Sequence, residues 1–213
     1  MKGAARMDKA ALPFPEPLEG WVARLWREQR DSDSIVHAHS IRVGQIAGVI
    51  AAQLGIDAVD VLKIQLASQF HDIGKLDLPR EILYAPRRLT EEEMAVIRQH
   101  SVLGTLRLRK LEAAPVLALV EDVTLHHHER YDGSGYPDRL VGNAASLAAR
   151  IAAAADVYAA LWERRVYKTA ISHDDVLARM TTGDDRMRPT FFDPDVLAAL
   201  RDTQRVIRRL VVD

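Results

Sequence analysis

The stretch SLAARIAAAADVYAALWERR, residues 146–165, reads as one long helix. It holds no proline or glycine, and much of it is alanine, the residue with the best intrinsic helix propensity. One residue does not fit so apolar a helix. Asp156 has no basic residue within a turn, and a buried carboxylate is costly unless something positive meets it. The pattern leaves two readings open: a badly placed acid or a metal ligand.

The flanking sequence reads the same way. EPLEGWVARLWREQR (16–30) sets Leu18, Trp21, Val22, Leu25 and Trp26 at helical spacing. Asp33 or Ser34 caps a helix through IVHAHSIRVGQIAGVIAAQL, which stops near Gly55. A third helix over 57–72 runs into HDIGK, where Gly74 is a natural terminator. Thr90 and Glu93 form a capping box for a helix expected to continue to about Lys110. Pro115 opens VLALVEDVTLHHHER, followed by the loop YDGSGYPDRLVGNAAS. A shorter helix starts after Ser172, and a last one is expected from Pro194 to about Val211. No alternating strand pattern exceeds a few residues, so the fold class is all-α.

The composition agrees. The chain has 213 residues, 48% hydrophobic and only 6% aromatic, enough for one domain with a core of Ala, Leu, Val and Ile. There is no cysteine, which excludes disulfides, thiolate zinc sites and a Cys nucleophile. A formal net charge of -1 argues against a nucleic-acid polymer as partner. No apolar run approaches a membrane span, and the first residues lack the apolar core of a signal peptide, so no membrane and a cytoplasmic location are expected. Residues 1–30 read as a partly helical extension and 31–213 as the main domain.

The histidines decide the chemistry. His37 and His173 have polar neighbours and read as surface residues. His39, two residues after His37, points to the opposite side of its helix and shares a face with Val43. His71–Asp72 closes an apolar helix, and His100 lies among Val96, Ile97 and Leu103. With Asp156 and HHH (126–128), six or seven inward His and Asp groups come from five helices. Imidazoles and carboxylates without thiols suit Fe, Mn, Co, Ni or Zn. Two such ions sharing a carboxylate can make hydroxide from water and stabilise a phosphoryl group under attack.

HDIGK (71–75), HHER (127–130), DGSGYP (132–137), ARIAAAADVYAAL (149–161) and RVYK (165–168) together resemble the HD-GYP family, a branch of the HD-domain metal-dependent phosphohydrolases. HSIRV (39–43), LTEEE (89–93), RQHSVLG (98–104) and FDPDV (192–196) follow in the family's order, so the likeness covers roughly 33–200. The resemblance implies an HD-domain helical bundle and hydrolysis of the bacterial second messenger cyclic di-GMP to pGpG or GMP. It implies His39, His71, Asp72, His100, His127, His128 and Asp156 as ligands of two divalent transition-metal ions, iron or manganese first, with zinc, nickel or cobalt as alternatives. Asp72 would bridge them. Lys75 would act beside Asp72 in catalysis and touch the phosphate, and Tyr136, Arg165 and Lys168 would contact the substrate. A homodimer or a protein signalling partner fits the family.

Several positions depart from the family pattern. Ile35 stands where some members carry a Glu for a third metal, so two ions are expected. Ala159, Trp162 and Glu163 replace an acid and two hydroxyls, Val166 replaces a Pro, Arg139 replaces a Gly, and Ala145–Ser146 replaces Ile–Pro. These are read as changes to the pocket wall, with Trp162 set to stack on a base or block it. They keep open a phosphohydrolase for another nucleotide, or a non-catalytic nucleotide- or metal-binding module acting through a partner. The length leaves no room for a sensor domain within this chain, so regulation is expected from the N-terminal stretch, a partner or metal supply.

Overall fold

The computed structural model describes residues 19–111, 115–163 and 171–211. Among them there are helices and one isolated bridge, Asp132 with Val141, but no strand. The helices are α1 (Glu19–Ser32), α2 (Ser34–Gln53), α3 (Ala58–Ser68), α4 (Arg80–Leu83), α5 (Glu91–Arg98), α6 (His100–Leu108), α7 (Leu117–His126), α8 (Leu147–Trp162), α9 (His173–Thr182), α10 (Pro194–Asp202) and α11 (Gln204–Val211). Single 3-10 turns cover Ile73–Asp77, Gly142–Ala144 and Pro189–Phe191.

Caps set the helix starts. The Asp33 carboxylate accepts from the amides of Ile35 and Val36, and the Asp57 carboxylate from Val59 and Asp60. Thr90 and Glu93 make the expected reciprocal box. Ser146 caps α8 through the Ala149 amide at 3.1 Å.

α2 is the central helix and packs on α3, α8, α1, α10 and α11. Its Val43, Ile46, Ala47, Ile50 and Ala51 are fully buried, as are Ile151, Ala152, Ala154, Ala155 and Ala159 of α8. The small alanines let the two helices approach closely, which brings His39 and Asp156 within reach of each other. α1 belongs to the same core: Val22 and Leu25 are buried, and Trp21 and Trp26 pack on Phe70.

Two expectations need correction. α2 is long and apolar enough to cross a membrane by length and composition. Half of its most apolar window is buried against the neighbouring helices, as in a core helix. The helices expected over 90–110 and 194–211 are each two helices. At the first break the Gln99 amide turns to Val96 O at 3.1 Å. The carbonyls of Ile97 and Arg98 there accept from the side chains of His100 and Ser101. At the second, the Thr203 hydroxyl takes the Ala199 carbonyl at 2.7 Å. Side-chain donors competing for helix carbonyls end or bend a helix.

Candidate metal centre

His71, His100 and His127 follow one local rule. Each stands at the end of a helix or just past it, and its Nδ1 faces the carbonyl of the residue three before. The partners are Ser68 O at 2.8 Å, Ile97 O at 2.7 Å and Thr124 O at 3.0 Å. A carbonyl only accepts, so each Nδ1 carries a proton and a neutral ring keeps its lone pair on Nε2. At His71, against burial, the Asp72 and Asp156 carboxylates raise the pKa to about 10, so an ion there displaces the second proton. The three Nε2 atoms converge on Asp72.

Asp72 is 2% exposed and stands between two groups of donors. Its Oδ1 lies 3.3 Å from His100 Nε2 and 3.9 Å from His127 Nε2, and its Oδ2 lies 3.2 Å from His71 Nε2. Within each group the candidate ligand atoms all lie within 4.8 Å of one another: Asp72, His100, His127 and His128 in one; His39, His71 and Asp72 in the other. Asp156 joins the second group, with Oδ1 2.9 Å from His39 Nε2 and 3.7 Å from His71 Nε2. All seven expected ligands are therefore gathered from five places in the chain, and Asp72 is common to both groups.

The donor set fits cations. His100 Nε2 and His127 Nε2 are 3.3 Å apart, and with both Nδ1 atoms protonated these are two lone pairs facing each other. Burial lowers the pKa of both rings, which keeps them neutral. Burial likewise holds His128 down at about 3. The carboxylates stay ionised. Burial works against Asp72, but Lys75 and His71 hold its pKa well below the ordinary range, and His39 and His71 do so for Asp156. His71 Nε2 and Asp72 Oδ1 are buried with no hydrogen-bond partner. Orphaned polar atoms of this kind are costly, and a cation that displaces the His71 proton would take up both.

Glu163, read from sequence only as a pocket departure, has a specific place. Its Oε2 lies 2.9 Å from His39 Nδ1, and its Oε1 accepts from Arg42 Nε at 2.7 Å. A carboxylate on the far nitrogen of a ligand imidazole fixes its tautomer and raises its basicity. The sequence signal was a glutamate near the end of an apolar helix, but its partner is 124 positions away. Glu163→Ala is expected to weaken the ion on the His39 side by about 10–100-fold while the ion on the His100 side is held. A chelator titration reads this as early loss of one ion, and an unchanged titration would leave Glu163 only an anchor for Arg42.

The remaining histidines are structural. His126 joins Asp122 of α7 at 2.8 Å to Asp138 of the loop at 3.0 Å, which ties the loop to the helix. His37 contacts Gln29 at 3.3 Å, and His173 meets the Tyr158 hydroxyl at 2.7 Å. Both are partly buried, so neither is the plain surface residue expected. Trp162 stacks on His173 with ring centroids 5.2 Å apart, and Ala159 is fully buried in the core. Neither is among the residues that line the pocket beside His128 and Tyr136.

The GYP loop closes on the centre. Tyr136 stacks on His128 with centroids 4.6 Å apart. Burial, then the Asp72 and Asp156 carboxylates, raise the pKa of its phenol, so it is a neutral donor. A Cβ on Gly135 would lie 2.4 Å from Arg130 N and 2.5 Å from His128 O, so only glycine fits where the loop crosses the end of α7. An open pocket of about 670 Å³ borders His128 and Tyr136, within the range of ligand sites. Lys75 Nζ pairs with Asp72 Oδ2. Arg165 and Lys168 lie outside the described residues.

A family model described as HD domain matches residues 25–196. The chain is 40% identical over 184 residues to the cyclic di-GMP phosphodiesterase response regulator RpfG of Xanthomonas campestris pv. campestris, covering 84% of this chain and 46% of that protein. It is 33% identical over 186 residues to a cyclic di-GMP phosphodiesterase of Thermotoga maritima, covering 87% of this chain and 49% of that one. Among solved structures, a cyclic GMP-AMP specific phosphodiesterase of V. cholerae (V-cGAP3) superposes with a TM-score of 0.56 at 28% identity, covering 91% of this chain and 42% of that one. The chain thus spans about half the length of the curated relatives it matches.

Proposed function

The chain belongs to the HD-domain family, in its HD-GYP branch, and on that premise we propose that it is a metal-dependent phosphodiesterase that hydrolyses cyclic di-GMP to pGpG or on to GMP. The observation that carries the reading is Asp72, a buried carboxylate shared by two groups of imidazole and carboxylate donors.

His39, His71, Asp72 and Asp156 would hold one ion, and Asp72, His100, His127 and His128 the other, with iron or manganese as first choice. Such a pair supplies hydroxide at neutral pH and offsets charge on the phosphoryl oxygens. The protein's own groups do the rest. Carbonyls of Ser68, Ile97 and Thr124 hold three imidazoles in one tautomer. The Lys75 ammonium beside Asp72 neutralises a phosphate oxygen or holds the attacking hydroxide. The Tyr136 phenol donates to substrate at the His128 side, and Arg165 and Lys168 grip the phosphates. A cyclic dinucleotide substrate places the work in the cytoplasm.

Protein purified without oxygen and loaded with Fe(II) or Mn(II) is expected to convert cyclic di-GMP to pGpG or GMP, resolved by chromatography. Lys75→Ala should lower turnover by about 10²-fold at unchanged metal content. The likeness to V-cGAP3 favours 3'3'-cGAMP as the second substrate to offer. Product from 3'3'-cGAMP and none from cyclic di-GMP would move the assignment. No product from either, with two ions bound, would turn the reading to a binding module.

A further inference from the structure

We propose that Arg98, Arg130 and Arg139 form a second phosphate subsite, which holds the phosphodiester of a dinucleotide that is not at the metals. The proposal rests on the reading of the centre as a cyclic-dinucleotide phosphodiesterase. It makes Arg139 a residue that favours ligands with two phosphates over those with one.

The three arginines line the pocket that borders His128 and Tyr136, and among the described residues lining it there is no carboxylate. They come from three elements: Arg98 ends α5 two residues before His100, Arg130 follows His128 by two, and Arg139 lies past the GYP turn. All three residues are exposed. Arg130 is held in place over the Phe191 ring at 3.8 Å. Arg98 faces Glu91 at 3.7 Å, but that carboxylate is 86% exposed and a weak competitor. The positive charges of Arg98 and Arg130 reach the Tyr136 phenol, whose ring lies on His128, so the cationic wall adjoins the metal centre. Guanidinium groups suit phosphate because their paired N–H donors match its oxygens.

Arg139 has a further peculiarity. Its φ is 55°, in the left-handed region where glycine is unstrained and a long side chain is not. The backbone reason is local. The buried Glu129 carboxylate accepts three successive amides, from Asp138 at 2.7 Å, Arg139 at 3.0 Å and Leu140 at 3.0 Å. Such a nest of amides requires the left-handed turn, but it does not require arginine. Among the described residues no carboxylate pairs with the Arg139 guanidinium. A strained arginine facing a cationic pocket, where glycine would serve the backbone better, points to a ligand. The two phosphates of a cyclic dinucleotide sit on opposite sides of its ring. With one at the ions beyond His128, the other faces this wall.

The test is calorimetric binding to the metal-loaded full chain. The probes are slowly cleaved phosphorothioate analogues of cyclic di-GMP, cyclic di-AMP and 3'3'-cGAMP, with GMP as the one-phosphate control. Arg139→Gly is expected to weaken the dinucleotide about tenfold, leave GMP within about twofold, and melt no lower than the wild type. Arg139→Lys should retain most of the affinity. Arg98→Ala, at an exposed helix end where folding is not at risk, should also weaken the dinucleotide and spare GMP. Unchanged dinucleotide affinity in both Arg139→Gly and Arg98→Ala, or an equal loss for GMP, overturns the subsite. If the wild type refuses the cyclic di-GMP analogue but takes another dinucleotide that Arg139→Gly loses, the substrate reading falls and the subsite stands. A wild type that binds no dinucleotide overturns it.

Discussion

Asp72→Ala is expected to lose both metal ions and at least about 10³-fold in turnover while keeping its helical fold. The carboxylate is the one ligand common to both donor groups. Its removal takes an oxygen and a negative charge from each side at once. What remains is a set of imidazoles on one side and His39, His71 and Asp156 on the other. Charge is as much at issue as geometry, because neutral imidazoles alone offset less of a dication's charge. Asp72→Asn, which keeps the shape and removes the charge, should therefore fail nearly as badly. The fold should survive, since Lys75 and His71, the groups that offset the burial of the Asp72 charge, have no buried charge to offset once it is gone. Without it, Lys75, 23% exposed, can turn to water. Metal content after desalting, turnover of cyclic di-GMP and far-UV circular dichroism measure the three parts. A variant that kept its ions and its rate would show that the centre is assigned to the wrong residues.

The histidines and aspartates were legible in the sequence because each breaks a local pattern. Asp156 stands in an alanine helix, His71–Asp72 at the end of an apolar one, and His100 among aliphatic neighbours. That they converge was legible only as a resemblance, since the contacts run between residues far apart in the chain, such as His39 and Asp156, 117 positions apart. Helix ends were read less well. The helices expected to run through His71, His100 and to Arg130 stop short, since ligand imidazoles take carbonyls that the helix would otherwise use. Helical propensity does not encode that competition. The pocket departures were legible as positions but not as roles. Trp162 turned to His173, Ala159 into the core and Glu163 to His39, each through a tertiary partner that no local pattern names. Arg139 was legible as an oddity after GYP, but its left-handed backbone and the three amides around Glu129 are matters of three-dimensional structure.

Gly74→Ala is expected to cost about 3 kcal/mol of stability, and in whatever folds, to displace His100 from Asp72. The reason is a backbone crossing. A Cβ at position 74 would lie 1.9 Å from His100 O and 2.4 Å from Gly104 N, both main-chain atoms that no rotamer change can move aside. The only relief is to push α6 away from the Ile73–Asp77 turn. The turn follows directly on Asp72, and α6 begins with His100, so the shift opens the donor group that the two residues share. Misplacement of about 1 Å in a catalytic constellation can cost on the order of 10²-fold in rate. The His100-side ion should be lost first in a chelator titration, with the ion held by His39, His71 and Asp156 lost later. Gly104→Ala is the comparison that isolates the cause. Its added Cβ would meet the Thr124 methyl at 2.7 Å, a side-chain atom that can give way, and Gly74 N only at 3.1 Å. It should cost roughly 1 kcal/mol and leave both ions bound. Thermal unfolding and metal titration of the two variants side by side decide the matter. Equal effects at the two positions, or a milder one at Gly74, would mean that some contact other than this crossing sets the distance between His100 and Asp72.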